Sequence, residues 1–418
     1  MRIVIDLQGA QTDSRFRGIG RYSLSFTKEI IRNCGEHEVI LALNGLLADS
    51  IESIRNEFDD LLLQEKIKVW YAPGPVRECE PQNKGRREAA ELIREAFLAS
   101  LQPDVVIITS LFEGYGDDAI TSIGRIDKNT LVYVILYDLI PLTNPDYYFK
   151  SNQTYEHYYL RKKDSLTHAT CLLSISKFSK DEGINFLSAQ TPPIVNISCA
   201  VNTAFQPIKL DKLQTQSVLD KFGLTRKLVM YTGGFDFRKN LPLLLRSYAK
   251  LSTYLRDNHQ LVFVGKIHKH TQSNLKIEAK SVGLSPDDLV FTGYVSDNDL
   301  VKLYNICKLF VFPSWHEGFG LPVLEAMSCG AAVIGANTSS LPELINNEDA
   351  LFNPFSEESI AHKITDVLTK ENLLQSLKKT GLRKSKLFSW DRVGKNALKA
   401  LQSKDSRELS IQVGKAQK

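Results

Sequence analysis

Long apolar runs are missing from this chain. No uncharged stretch reaches the ~18 residues that would span a bilayer as a helix. Met1-Arg2-Ile3-Val4-Ile5-Asp6 lacks the apolar core and small-residue cleavage site of a secretory leader, and it reads as a first strand. Cysteine is sparse. Cys34, Cys79, Cys171, Cys199, Cys307 and Cys329 form no CxxC pair, which argues against zinc ribbons and dithiol redox chemistry and for buried, reduced thiols in a cytoplasmic protein. A large excess of charge of one sign is missing too. A net charge of +4 is far from the basic excess of a nucleic-acid binder, although it suits a partner that carries phosphates. Fixed-period repeats and low-complexity segments are absent. His268 and His270 form the one HxH pair, for which a polar loop after a strand is the alternative to a metal site.

What is present is a long, ordinary globular composition. The 418 residues exceed what one hydrophobic core usually holds, so two domains are expected. Strand-like and helix-like segments alternate. Ile3–Asp6, Val39–Leu43, Lys68–Tyr71, Val105–Thr109, Leu131–Leu136 and Leu172–Ile175 read as strands. Helices are expected over Arg21–Asn33, Ile51–Leu63 and Glu88–Leu101, the last with Ala89, Leu92, Ile93, Ala96 and Phe97 on one apolar face. Short apolar runs between helices suggest strands buried on both faces of a parallel sheet. A break falls near Asn202–Gln214, around Pro207. The alternation then restarts with Leu228–Thr232, a helix over Leu241–Leu255, and strands Leu261–Val264, Val290–Thr292, Leu309–Phe312 and Ala332–Ile334. The expected fold is α/β: two Rossmann-like doubly wound domains, 1–207 and 208–385, facing a central cleft, with a helix over 386–403 crossing back and a polar tail over 404–418.

Four segments carry chemistry, each at the carboxyl end of an expected strand, where loops of an open sheet gather around ligands. In Ser314-Trp315-His316-Glu317-Gly318-Phe319-Gly320-Leu321-Pro322 the glycines leave amides bare at a helix entrance, which attracts phosphate. Glu317 and Glu325 flank that turn, and a carboxylate can accept both hydroxyl hydrogen bonds of a vicinal diol. In Gly233-Gly234-Phe235-Asp236-Phe237-Arg238-Lys239-Asn240 two adjacent cations can neutralise a diphosphate. Arg15-Phe16-Arg17-Gly18-Ile19-Gly20-Arg21-Tyr22 offers a close backbone approach but lacks the third glycine of a dinucleotide fingerprint. The second strand ends at Asn44, without the acid that binds an adenosine ribose, and both features argue against NAD. Asp138, in Tyr137-Asp138-Leu139-Ile140-Pro141, either points into the cleft or caps the next helix.

Together these residues resemble the family-4 retaining glycosyltransferases of the GT-B fold. Glu317 and Glu325 match the E-x7-E hallmark, Tyr231-Thr232-Gly233-Gly234 through Asn240 resembles the diphosphate loop, and Gly293-Tyr294-Val295 the turn that holds the base. Ser339-Ser340-Leu341-Pro342-Glu343 and Phe388-Ser389-Trp390-Asp391 also match common segments. Val4 to Gln11, Arg17 to Tyr22 and Tyr137 to Pro141 resemble bacterial mannosyltransferases of polymannose O-antigen synthesis. Two positions depart from the pattern. Tyr137 stands where many relatives have His, and Gly234 where many have Arg, leaving Arg238 as the candidate for that cation.

The resemblance implies retaining transfer of a sugar, α-mannose from GDP-mannose, to a glycan hydroxyl; UDP- or dTDP-sugar donors and a non-catalytic binding protein are the alternatives. It assigns Glu317, Lys239, Arg238 and Asp138 to catalysis. It assigns Gly233, Gly234, Gly265, Tyr294, Val295, Gly318, Phe319, Gly320, Leu321 and Glu325 to the donor, and Gly18, Gly20, Arg21 and Tyr137 to the acceptor. The first domain would then bind acceptor and the second the nucleotide sugar. No DxD-like pair lies in a suitable loop, so neither a metal nor another cofactor is expected beyond the nucleotide-sugar donor. The expected acceptor is lipid-linked or an oligosaccharide, and nucleic acid is not expected as a partner. The expected location is cytoplasmic, with peripheral association at the inner membrane or in a biosynthetic complex as a further expectation. Lys84-Gly85-Arg86-Arg87 before the helix Glu88–Leu101 could hold that helix at a membrane surface, unless its apolar face packs on the sheet.

Overall fold

The computed structural model describes residues 1–187 and 191–402. The chain forms two compact units. One comprises Met1–Cys199 together with the chain from Ser389 onward, and the other comprises Ala200–Phe388.

In the first unit, seven strands form one parallel sheet: β1 (Arg2–Asp6), β2 (Glu38–Asn44), β3 (Ile67–Trp70), β4 (Val105–Ile108), β5 (Leu131–Leu136), β6 (Cys171–Ser174) and β7 (Ile194–Asn196). Their order is β3-β2-β1-β4-β5-β6-β7. β1 is central and apolar on both faces: Ile3, Val4 and Ile5 are fully buried, each worth about 1.5–3 kcal/mol of hydrophobic stabilisation. The order reverses between β1 and β4, so the loops leaving these two strands diverge and open a crevice at the carboxyl edge. Helix α1 (Gly18–Asn33) follows β1 and buries Tyr22, Phe26, Ile30 and Ile31 at helical spacing. The helix Trp390–Gln402 lies against α1, where Trp390 meets Tyr22 edge-on at 5.1 Å. Gly394 permits this approach, because a Cβ there would stand 2.8 Å from Glu29 Cβ.

The second unit repeats the design with six strands: β8 (Lys227–Thr232), β9 (His259–Val264), β10 (Leu289–Phe291), β11 (Leu309–Phe312), β12 (Val333–Ala336) and β13 (Leu351–Phe352). All pair in parallel, in the order β10-β9-β8-β11-β12-β13. Here the reversal lies between β8 and β11.

Several expectations need correction. The helix expected over Ile51–Leu63 is α2 (Ile51–Glu57) alone. Phe58 turns fully inward and accepts the Leu61 amide in a tight turn, so burial of one ring ends the helix early. The helix expected over Leu241–Leu255 breaks at Ala249, and Ser252 caps a separate helix, Thr253–Asn258. The larger correction concerns α3 (Lys84–Ser100). Its buried side is Ala90, Glu91, Arg94, Glu95 and Leu98, whereas Ala89, Leu92, Ile93 and Ala96 face solvent. Arg94 donates to Asp6 (Nε to Oδ2, 2.7 Å) and to the Ser122 carbonyl (3.1 Å). Glu95 accepts from Ser122 Oγ (2.6 Å) and the Ile126 amide, and Glu91 pairs with Arg125 and Arg161. A buried ion pair with hydrogen-bonded partners can hold charges inside that periodicity alone assigns to the surface. Among the described residues, no helix is long and apolar enough to cross a membrane.

Candidate active site

In the second unit the loops leaving β8 and β11 meet at the sheet's reversal point. After β8 the chain makes a tight turn, Phe237–Lys239, that ends on Asn240 in the left-handed region (φ 59°). Asn240 Nδ2 donates to the carbonyls of Pro354 (2.6 Å) and Pro313 (3.3 Å), stitching the β8 exit to the exits of β13 and β11. This aims Lys239 inward, where it is 6% exposed. Its Nζ lies 2.5 Å from Glu317 Oε1 and 5.6 Å from the centre of the Phe312 ring. Arg238 spans the same space. It pairs with Asp236 (3.0 Å), donates to the His316 carbonyl (2.7 Å), and approaches Glu317 Oε2 at 3.2 Å.

Glu317 thus sits in a buried cage of two cations, 8% exposed. Burial alone would raise its carboxyl. The Lys239 and Arg238 charges outweigh burial and hold it at about 2, so it is an anion throughout the physiological range. The loop around it is pinned by Ser339 and Ser340. The Glu317 amide donates to Ser339 Oγ (3.1 Å), and Ser340 Oγ donates to the Glu317 carbonyl (3.0 Å). The resemblance to the family includes this pair without giving it a role. Two serines shortly after the strand that ends at Ala336 and just before the helix Leu341–Ile345 were the available signal.

Gly320 opens the helix Leu321–Ser328 at φ 100°. A Cβ there would lie 2.7 Å from Leu341 Cδ2, so packing as well as backbone angle demands glycine. Gly318 and Phe319 precede it, with Phe319 edge-on to Phe388 at 5.7 Å, and Leu321 and Pro322 form the first turn. Glu325 is also buried, and it accepts from the Tyr304 hydroxyl at 3.0 Å. Gly233 (φ 142°) lies under Tyr231, whose hydroxyl donates to the Gly234 carbonyl (2.5 Å). Gly265 (φ 129°) and Gly293 pair as an isolated bridge, which joins the exits of β9 and β10. Beyond it Tyr294 is 78% exposed and Val295 half-buried. The structure therefore unites Glu317, Lys239 and Arg238, and gives Glu325 its own partner.

In the first unit Gly18 and Arg21 are exposed at the start of α1. Gly20 is enclosed by its own loop, since a Cβ would stand 2.3 Å from Arg15 Cα. Tyr137 directs its hydroxyl to the Thr109 carbonyl (3.0 Å) and Ser23 Oγ (3.2 Å), with burial pushing its titration upward. Asp138 Oδ1 accepts from the Ile140 amide (3.3 Å) two residues on, but Leu139 is the N-cap of the helix Ile140–Thr143 and no side chain caps it, so the capping alternative weighed above is corrected. A residue not singled out from sequence is Glu113. It bridges the loops leaving β1 and β4 by accepting from Thr12 Oγ1 (2.9 Å), Ser14 Oγ (3.2 Å) and Ser110 Oγ (2.9 Å). Burial lifts its carboxyl to about 7 against those three hydroxyls. His268 precedes the helix Lys269–Ser281, and His270 Nε2 lies 3.2 Å from Asn274 Nδ2.

Comparison with known proteins agrees with this geometry. The chain is 37% identical over 391 residues to the serotype-specific mannosyltransferase WbdA of Escherichia coli, an alignment covering 93% of this chain and 46% of that protein. It is 30% identical to the O-antigen chain mannosyltransferase B of Escherichia coli, over 61% of this chain and 66% of that one. The chain spans about half the length of the WbdA proteins it matches. Sucrose-phosphate synthase of Thermosynechococcus elongatus shares the fold, with a TM-score of 0.68 at 18% identity, covering 96% of this chain and 98% of that one. The signature of the family described as "Glycosyl transferases group 1" spans residues 218–384, which hold the Glu317–Lys239–Arg238 cluster and both glutamates of the E-x7-E pattern. The chain belongs to the group 1 glycosyl transferases, on a GT-B fold of two Rossmann-like units.

Proposed function

We propose that this chain transfers an α-mannosyl unit, with retention, from GDP-mannose to a hydroxyl of a lipid-linked or oligosaccharide acceptor in O-antigen or related surface polysaccharide synthesis, without a metal. The observation that carries this reading is the buried Glu317 between Lys239 and Arg238. The names of the two mannosyltransferase relatives support the sugar. As the bond from the anomeric carbon to the diphosphate breaks, negative charge grows on the departing oxygen. Fixed cations aimed there are worth about 3 kcal/mol each in comparable cases. Glu317, held at about 2, has no proton to give. It serves as an acceptor for sugar hydroxyls and as a negative charge near the anomeric carbon. The acceptor oxygen bonds to that carbon on the face the diphosphate leaves, and the acceptor's proton passes to the departing phosphate oxygen. Incubation with GDP-, UDP- and dTDP-sugars, followed by release of the diphosphate, tests the donor. GDP-mannose should be cleaved fastest and GDP should bind most tightly; tighter binding of UDP would overturn the assignment. Activity should survive a chelator, and loss restored by magnesium or manganese would overturn metal independence.

For location, we propose peripheral binding of α3 to an anionic membrane surface at the cytoplasmic face. Exposed Lys84 and Arg86 lie about two turns before the outward Leu92 and Ile93 on the same helix, and interfacial helices combine basic charge with apolar side chains in this way. Arg87 is instead turned toward Glu78 (3.7 Å). Co-sedimentation with phosphatidylglycerol vesicles should fall when Lys84 and Arg86 become Glu or Leu92 and Ile93 become Ser. Unchanged pelleting of both variants would remove the helix from this role.

A further inference from the structure

The first unit contains a second concavity, whose lining includes neither Glu113 nor Tyr137. It lies where the loop after β1, the first turns of α1 and the helix α2 come together, and it holds about 300 Å3. That is the small end of the range for ligand pockets, roughly 300–1,000 Å3. Leu24 and the buried Ile54 form an apolar floor. On one wall Arg15 lies over the ring of Phe16, its guanidinium carbon 4.6 Å from the ring centre. Phe16 is 72% exposed, so most of that ring faces outward. On the other wall stand Asp49, Ser53 and Glu57. Glu57 is held by Lys28 at 2.5 Å. Among the described residues, the side chains of Asp49 and Ser53 hydrogen-bond to nothing.

This combination selects a chemistry. An exposed aromatic face offers area without polarity, suited to the C–H face of a sugar ring. A carboxylate and a hydroxyl accept from, and a guanidinium donates to, neighbouring ring hydroxyls. A phosphate or uronate would have to sit beside Asp49 and Glu57, with Arg15 as the one cation not already paired to a carboxylate, and like charge this close is unfavourable. A neutral polyol meets no such opposition. The position fits as well: Arg15 and Phe16 precede Gly18, Gly20 and Arg21 in one continuous loop.

We infer that the pocket between the Arg15–Phe16 loop and α2 binds a neutral pyranose unit of the glycan acceptor. The inference rests on the glycosyl-transfer reading for the identity of the glycan, and deepens it by giving the acceptor a subsite. Calorimetric titration of the full chain with α-mannobiose and methyl α-mannoside, with no donor present, tests it directly. Saturable binding should appear at millimolar concentration. Phe16→Ala and Asp49→Ala, both at exposed positions, should weaken it about tenfold or more, while nucleotide affinity and the circular dichroism spectrum stay unchanged. The idea is overturned if the wild-type chain binds neither glycan, or if both variants bind as the wild type does. Tighter binding of glucose 1-phosphate than of methyl α-glucoside would also overturn it, by showing an anion site. Because no donor is used, failure to cleave every nucleotide sugar would overturn the proposed transfer and leave this result to be read on its own.

Discussion

Two buried glutamates of one short segment have different surroundings, and different consequences follow from removing them. Glu317 lies between two cations at the reversal point of its sheet, where charge would develop at the anomeric carbon. Glu325 lies about two turns along the helix, bonded to Tyr304. Glu317→Gln should lower turnover about 100-fold or more, as removal of one electrostatic stabiliser does. Glu325→Gln should mainly raise the donor's KM, by about 1–3 kcal/mol of lost binding. Steady-state kinetics on the two variants decide: normal turnover in Glu317→Gln with slow turnover in Glu325→Gln would reverse the roles. Two other buried groups govern stability. Glu113 is lifted to about 7 by burial, so between about 4.5 and 7 the folded chain binds more protons than the unfolded one and stability falls as pH rises. Lys162 is lowered to about 7, by burial and then by Arg161. Between about 7 and 10.5 the folded chain binds fewer protons, so stability rises. Denaturant midpoints should pass through a minimum near neutrality. Glu113→Gln should flatten the acid limb, on the order of 3 kcal/mol, and Lys162→Met the alkaline one, on the order of 5 kcal/mol. A monotonic profile in the wild type would contradict this.

At the scale of elements, α3 shows what helix periodicity does and does not reveal. Its outward Leu92 and Ile93 lose little on exposure to water, whereas its inward Arg94 neutralises Asp6 inside the first unit. Leu92→Ser should therefore cost under about 1 kcal/mol. Arg94→Met should cost about 3–5 kcal/mol, the penalty for an uncompensated buried charge. Denaturant titration of both variants would show the ranking, and a costlier Leu92→Ser would refute it. The sequence could not announce this arrangement, because Asp6 and Arg94 are 88 residues apart and a charge's partner is invisible to local pattern. Continuous apolar runs were a better guide. The run Leu309–Phe312 reads directly as β11, because a strand buried on both faces needs no partner to explain its composition. The edge strands β7 and β13, three and two residues long, were too short to register. At the site, the glycines and acids of the Glu317 loop were legible from their spacing. The serines that pin that loop were not, since a hydroxyl's target depends on which strands become neighbours.

At the scale of the molecule, the first unit is discontinuous in sequence, and its last helix, Trp390–Gln402, covers its first. The contact tolerates no added bulk at Gly394, whose place for a Cβ lies 2.8 Å from Glu29 Cβ and 3.0 Å from the Glu29 carbonyl. Gly394→Val should destabilise the first unit by about 1–3 kcal/mol through overpacking, read as a lowered thermal midpoint with the nucleotide affinity of the second unit retained. A midpoint unchanged from wild type would show the helix to be loosely held. The same arrangement sets an order of events on the ribosome. The second unit, Ala200–Phe388, can close soon after its own last residue emerges. The first unit begins emerging earlier yet must wait, with Tyr22 and Glu29 of α1 uncovered, until Trp390–Gln402 has been made. Of these two units, the one that starts to emerge first is therefore the one completed last, and a nascent chain stalled before Ser389 would carry a finished second unit and a first unit still open to chaperones and proteases.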